Sequence, residues 1–140
     1  MAITIEYHPL DLNKIDEENV IQLYEDVGWA NYLKEKAQLI NGIKNSDSVL
    51  GAYHRGELVG LIRLINDKCI IVYIQDILVK QKYQRKGIGR ELVKQGLEKY
   101  SKVRQKVLLT DNEESLKNFY QKIGFKEVNE LHLSCFVKIS

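Results

Sequence analysis

The stretch that most limits how this chain can fold is CIIVYIQDILV (69–79), followed after a short polar turn by RKGIGRELVKQGLEKY (85–100). The first part is a near-continuous run of β-branched and aromatic residues. It predicts a strand buried on both faces at the centre of a sheet. The second part places Ile88, Leu92, Val93, Leu97 and Tyr100 on one stripe at helical spacing. A strand that passes through two glycines into an amphipathic helix belongs to an α/β layer structure.

The flanking sequence fits one such domain over residues 1–140. AITIEY (2–7) alternates like a strand, and DEENVIQLYED (16–26) has helical spacing with Asp16 as its N-cap. Gly28-Trp29 interrupts before a second helix over about 32–43. The run SVLGAYHRGELVGLIRLI predicts a hairpin, with strands near 48–54 and 57–66 around His54-Arg55-Gly56-Glu57. KVLLT (106–110) reads as a short buried strand. Asp111-Asn112 would cap ESLKNFYQKI, with Glu114 completing a capping box, and Gly124 would end that helix. FKEV and LSCFVKI read as final strands.

Composition narrows the classes. Apolar residues make up 44% and charged residues 29% of the 140, as in an ordinary soluble domain large enough for its own core. The net charge of +2 makes no case for a nucleic-acid partner, and the cations gather at one helix start, not along an aromatic-interleaved face. No apolar stretch approaches the roughly 20 residues of a membrane span, and MAITIEYHPLDL does not resemble a secretion signal. Cys69 and Cys135 form no CxxC pair and read as buried reduced thiols, consistent with a cytoplasmic protein. His8, His54 and His132 have no metal-ligand spacing, so no metal is expected.

Gly87 and Gly89 sit where a strand has ended and a helix begins. First-turn amides lack intrahelical partners and the macrodipole makes that end partly positive. Arg85, Lys86 and Arg90 add full charges, so the turn is built like a phosphate or pyrophosphate site. Basic residues ahead of a helix are also commonly just solvated. The dinucleotide fingerprint fails because position 92 is Leu, and neither glycine supplies a P-loop.

Gln84-Arg85-Lys86-Gly87-Ile88-Gly89 does match the Q/R-x-x-G-x-G/A signature. Together with the preceding YIQDILV, and with SLKNFYQKIGF (115–125), where Tyr120 lies five residues before Phe125, the chain resembles the Gcn5-related N-acetyltransferase (GNAT) family over essentially its whole length. The resemblance implies a mixed, mostly antiparallel sheet of about seven strands flanked by about four helices and splayed at the cofactor-binding strand. It implies acetyl-CoA as co-substrate, its pyrophosphate held around Gln84, Arg85, Lys86, Gly87, Ile88, Gly89 and Arg90. Backbone groups of Ile77, Leu78 and Val79 would take the thioester and pantetheine, and Phe119 would lie on the cofactor side. Relatives often carry asparagine seven residues before the tyrosine. This chain has Glu113 there, with Asn112 adjacent as the substitute contact.

The implied reaction is direct acetyl transfer to an amine of a small molecule or peptide. An alkylamine with a pKa near 10.4 is mostly protonated at pH 7, so the site must favour the neutral form. A tyrosine hydroxyl is a reasonable proton donor to the departing thiolate, and Tyr120 is the residue the resemblance assigns. Asp76, acidic within an apolar strand, is a candidate base; Ile74, Asp76 and Leu78 are expected to share a face, so its carboxylate meets either the cleft or a cation beneath a helix. Glu25, Asp26 or an ordered water are alternatives. Tyr24, Trp29 and Tyr32 would form an aromatic wall for an apolar or cationic acceptor, although helix packing would use the same three rings. A different class of function fits the same motif: a catalytically silent acyl-CoA sensor or partner-binding module. Homodimers are common among relatives, and LHLSCFVKI offers either an interface or an internal edge.

Overall fold

The structure is a computed structural model that describes residues 3–140, and Ala2, the first residue of the expected strand 2–7, lies outside the described residues. The chain divides into two compact units, one ending at Leu108 and the other spanning residues 109–140.

The first unit holds a five-stranded sheet in the order β1-β2-β3-β4-β5. Its strands are β1 (Glu6–Pro9), β2 (Ser48–His54), β3 (Glu57–Asn66), β4 (Ile71–Val79) and β5 (Gln105–Leu108). The first four pair antiparallel and β4 pairs parallel with β5. The β2–β3 hairpin has the expected boundaries. Arg55 and Gly56 both take positive φ (52° and 80°), the two-residue geometry that matches strand twist. β1 lies later than expected and ends at Pro9, tolerable on an edge strand because proline has no N–H to give a second neighbour.

Helix α1 (Glu17–Asp26) starts where the sequence indicates, with the Asp16 carboxylate accepting the Asn19 N–H. The expected helix 32–43 is instead two helices, α2 (Ala30–Leu33) and α3 (Lys36–Lys44), broken where Glu35 leaves helical backbone (φ −132°, ψ 71°). One face of the sheet is closed by a core of Val20, Leu23 and Tyr24 from α1, Leu39, Ile40 and Ile43 from α3, and Leu58, Leu61 and Leu78. α4 (Ile88–Leu97), continued by a 3₁₀ turn Glu98–Tyr100, packs on β2, β3 and β4. The approach is close: a Cβ at Gly96 would lie 2.9 Å from Ile62 Cγ2.

The strand buried on both faces is β3, not β4. Residues 58–64 are all buried, whereas β4 alternates buried and half-buried positions. β3 is the middle strand, covered by helices on either side; β4 has β5 beside only its first half. A further difference concerns Asp76. The β3–β4 register pairs Arg63 with Asp76 but Leu64 with Ile74, leaving Gln75 as an extra residue. Such a β-bulge reverses the facing of everything beyond it. Ile74 and Asp76 therefore lie on opposite faces, and Gln75 joins Asp76 on the side of α1 and α2.

There Asp76 (2% exposed) and Arg63 (6% exposed) form a buried pair, Nε to Oδ2 2.8 Å. The Tyr24 hydroxyl donates to Oδ2 at 2.9 Å and the Tyr32 hydroxyl to Oδ1 at 2.8 Å. Gln75 Nε2 donates to the Tyr32 oxygen at 2.8 Å, and Arg63 Nη1 donates to Ser46 Oγ at 3.3 Å. One cluster thus ties α1, α2, the end of α3, β3 and β4 together.

The second unit contains α5 (Glu114–Lys122) and a 3₁₀ turn Val128–Leu131. Among the described residues the sheet has five strands, not about seven, because the segments FKEV and LSCFVKI are not strands. Alternation specifies which face a strand would bury, but a strand exists only with a pairing partner. Residues 132–140 are exposed and irregular, Phe136 at 91%. The capping box also fails: α5 starts from Glu113 with no side-chain cap. Both cysteines are exposed, Cys69 in the β3–β4 turn and Cys135 in the irregular stretch. β5 is half-buried at its centre, not buried. Among the described residues no helix is long and apolar enough to cross a membrane.

Two outcomes follow from the buried pair. Arg63→Met or Asp76→Asn alone should cost about 3–5 kcal/mol by stranding the partner, and Arg63→Met with Asp76→Leu should cost distinctly less than the sum, as read by urea denaturation. Burial, then the Asp76 charge, raises the Tyr24 pKa above its ordinary value. The folded chain keeps that proton where the unfolded chain loses it, so stability should be intact below about pH 10 and fall as pH rises further. The fall should be shallower in Tyr24→Phe.

Candidate functional site

The site begins at the second half of β4. The β5 ladder ends with Leu108 opposite Ile74, and among the described residues no strand pairs with that edge beyond it. Lys80 N–H donates to Val59 O at 2.8 Å. Since antiparallel residues alternate in direction, Lys80 and Leu78 address β3, whereas Ile77 and Val79 address the open edge. Leu78 is thereby removed from the expected trio of backbone contacts: its side chain is core and its peptide groups belong to the ladder. The Val79 carbonyl accepts from Gln84 Nε2 at 2.9 Å. Amide donors of Ile77 and Val79 remain along the edge, suited to a carbonyl-bearing ligand.

The chain then makes a 3₁₀ turn, Gln81–Tyr83, and enters the glycine segment. Arg85 has φ 62° and Gly87, the N-cap of α4, has φ 83° and ψ 5°. A Cβ at Gly87 would meet no protein atom within 4 Å, so this φ is what asks for glycine there. No side chain caps α4, and its first backbone bond is from Glu91 N–H to Gly87 O. The N–H groups of Ile88, Gly89 and Arg90 are therefore without helical acceptors. Ile88 is buried and anchors the turn, whereas Arg85, Lys86 and Arg90 are exposed. None of the three cations is ion-paired among the described residues. Left-handed residues two apart, amides without helical acceptors and three exposed cations give this turn the donors and charge that an anion would need.

On the α1–α2 side the three predicted aromatics do cluster, Tyr24 edge-on to Trp29 (5.9 Å) and Tyr32 (5.4 Å). Tyr24 is fully buried and serves the core, so it has no surface to offer an acceptor. Trp29 and Tyr32 are half-buried. Burial and then Asp76 raise the Tyr32 pKa. Asp76 itself is closed from solvent with both carboxylate oxygens engaged, which makes it a structural counterion; the alternative of a cation beneath a helix is the arrangement observed. Of the other carboxylates, Asp26 accepts the Gln81 N–H at 2.7 Å and Glu25 lies 3.8 Å from Lys36. His54 is satisfied by Tyr83, while His8 and His132 are exposed. No cluster of His, Cys, Asp or Glu among the described residues could hold a metal ion.

In the second unit, Tyr120 and Phe125 explain the spacing of the late motif. Gly124 N–H bonds Gln121 O and Phe125 N–H bonds Tyr120 O, with Gly124 at φ 102°. This is a Schellman ending, and its usual apolar contact is the Tyr120–Phe125 ring pair at 5.9 Å. Phe119 stacks edge-on to Tyr120 at 5.0 Å. Burial raises the Tyr120 pKa, with Thr110 hydrogen bonding pulling the other way. Asn112 is exposed in the turn before α5. Sequence reasoning missed Arg63, Gln75 and Tyr83; the one available signal was Arg63, a lone cation in GLIRLI next to a strand with a lone acid.

A family model described as the acetyltransferase (GNAT) domain matches residues 12–134. Among solved structures, a GNAT-family acetyltransferase of Streptococcus pneumoniae superposes with a TM-score of 0.84 at 31% identity, over 99% of this chain and 98% of that one. An aminoglycoside N-acetyltransferase solved in complex with CoA has a TM-score of 0.72 at 14% identity, over 100% and 96% of the two chains, a likeness of fold. An uncharacterized N-acetyltransferase of Pyropia yezoensis is 24% identical over 108 residues, 74% of this chain and 61% of the algal protein, so the match spans about three fifths of that relative. With the glycine turn, the open strand edge and a domain match across most of its length, the chain belongs to the GNAT acetyltransferase family.

Proposed function

We propose that the protein is an acetyl-CoA-dependent N-acetyltransferase that acetylates an amine of a small molecule or peptide, and that residues 1–140 work as one acetyltransferase domain. The observation that carries this reading is the Gln84–Gly89 turn: left-handed at Arg85 and Gly87, uncapped at α4, and flanked by unpaired cations. The residues fit the coenzyme. Amides of Ile88, Gly89 and Arg90, with Arg85 and Lys86, would hold the diphosphate, and the amides of Ile77 and Val79 would receive its carbonyl-bearing arm. The bound coenzyme would supply an activated acetyl thioester.

The protein's own tasks are then proton management and charge stabilisation. Amide donors fixed in a strand stabilise a developing oxyanion without reorganising. Tyr120, held protonated by burial, would give its proton to the departing thiolate. With Asp76 committed to Arg63, Asp76 is not the base, and desolvation or an ordered water would neutralise the amine. That commitment is also what favours the second reading, a coenzyme sensor without turnover. Release of thiol from acetyl-CoA in the presence of polyamines, aralkylamines, amino acids, aminoglycosides or peptide N-termini separates the two.

A hundredfold excess of acetyl-CoA over its Kd should raise the melting temperature by roughly 8 °C. Gly87→Glu should abolish the shift, and Gly87→Asn, which tolerates positive φ, should retain most of it. A full shift in Gly87→Glu would remove the diphosphate from this turn. Tyr120→Phe should keep coenzyme affinity but lower kcat by about 100-fold or more; unchanged turnover would assign the proton to another group.

A further inference from the structure

The glycine turn is held in its backbone by residues outside it. A non-glycine residue in left-handed conformation, as Arg85 is, is disfavoured and persists only where its surroundings fix it. The four anchors ahead of it reach four different elements. Lys80 Nζ meets Glu57 Oε2 at 3.1 Å at the start of β3. Gln81 bonds Asp26 at the end of α1, N–H to Oδ2 at 2.7 Å and Nε2 to the carbonyl at 2.6 Å. Tyr83 Oη lies 2.8 Å from His54 Nδ1 at the end of β2, and Gln84 closes on Val79 O.

The His54–Tyr83 pair is the part of this brace that carries a buried side chain, Tyr83. Tyr83 is 7% exposed although its neighbours Gln81, Lys82, Gln84 and Arg85 are all exposed. Its ring meets the His54 imidazole edge-on at 5.4 Å, with the Lys82 ammonium 5.3 Å from its centroid. His54 is itself aimed by the left-handed Arg55-Gly56 turn. The bond fixes where the chain leaves β4 and how it enters α4.

We propose that His54 and Tyr83 are positioning residues for the coenzyme diphosphate: their hydrogen bond sets the Arg85–Gly87 turn before ligand arrives. The inference rests on the placement of the diphosphate at residues 85–90. A turn already ordered loses less freedom on binding, so affinity depends on a bond that acts only through the backbone.

The test titrates CoA by calorimetry, and pantetheine, which lacks the diphosphate and the 3′-phosphoadenosine, by NMR, into wild type, Tyr83→Phe, His54→Ala and His54→Asn, alongside melting curves of the free proteins. Tyr83→Phe and His54→Ala should weaken CoA about fivefold, the size of one hydrogen bond, leave pantetheine affinity unchanged and lower the free melting temperature by only about 3–4 °C. His54→Asn, with a polar atom near the place of Nδ1, should recover most of the loss. Unchanged CoA affinity in Tyr83→Phe, or equal weakening of CoA and pantetheine, overturns the positioning role. Failure of wild type to prefer CoA over pantetheine would instead overturn the diphosphate placement itself.

Discussion

The buried pair of Arg63 and Asp76 is the interaction on which the first unit's site architecture rests. Desolvating two charges is expensive, and their attraction repays it only when geometry and further hydrogen bonds are good. Here Asp76 receives the guanidinium and two tyrosine hydroxyls, while Arg63 also reaches Ser46. The partners come from α1, α2, the end of α3 and β3, so the pair can be satisfied only when those elements have assembled on β4. An apolar pair of similar size could fill the volume, but it would not dictate which helix residues point at the strand.

The bulge at Gln75 is what makes that pairing available. In a regular ladder the residues two apart, Ile74 and Asp76, would face the same helices. The extra residue turns Asp76 toward α1 and α2 while Ile74 stays opposite Leu64. It also sits at the boundary beyond which β5 no longer accompanies β4. One side of the strand is thus locked into a charged core and the other leaves amides open. A second layer of fixing occurs after Val79, where anchors to Glu57, Asp26 and His54 hold the chain on its way into α4. Rigid surroundings of this kind suit a site whose donors must be in place before charge develops.

Much of the candidate coenzyme site was legible because it is local. Gly87 and its neighbours announce themselves through spacing, and the consequence, a left-handed N-cap with free amides, follows from the same few residues. Tyr120 and Phe125 are likewise a local device, the apolar contact of a helix ending. The acceptor side was less legible. Tyr24 and Tyr32 are alike in sequence, yet one is core and the other half-buried, because their depth depends on the distant Asp76 and not on the helix that carries them.

By itself, the sequence determined the β2–β3 hairpin to the residue, the Asp16 cap of α1, the strand–turn–helix unit around Gly87 and the GNAT resemblance. Each depends on periodicity, caps or turn residues that act within a few positions. Only the tertiary structure decided that β3 is the fully covered strand, that Asp76 is a counterion for Arg63, that Tyr83 is tied to His54, and that the late apolar segments lack strand partners. Those outcomes turn on pairing register and on contacts tens of residues apart, and a single inserted residue is enough to turn a side chain to the other face of the sheet.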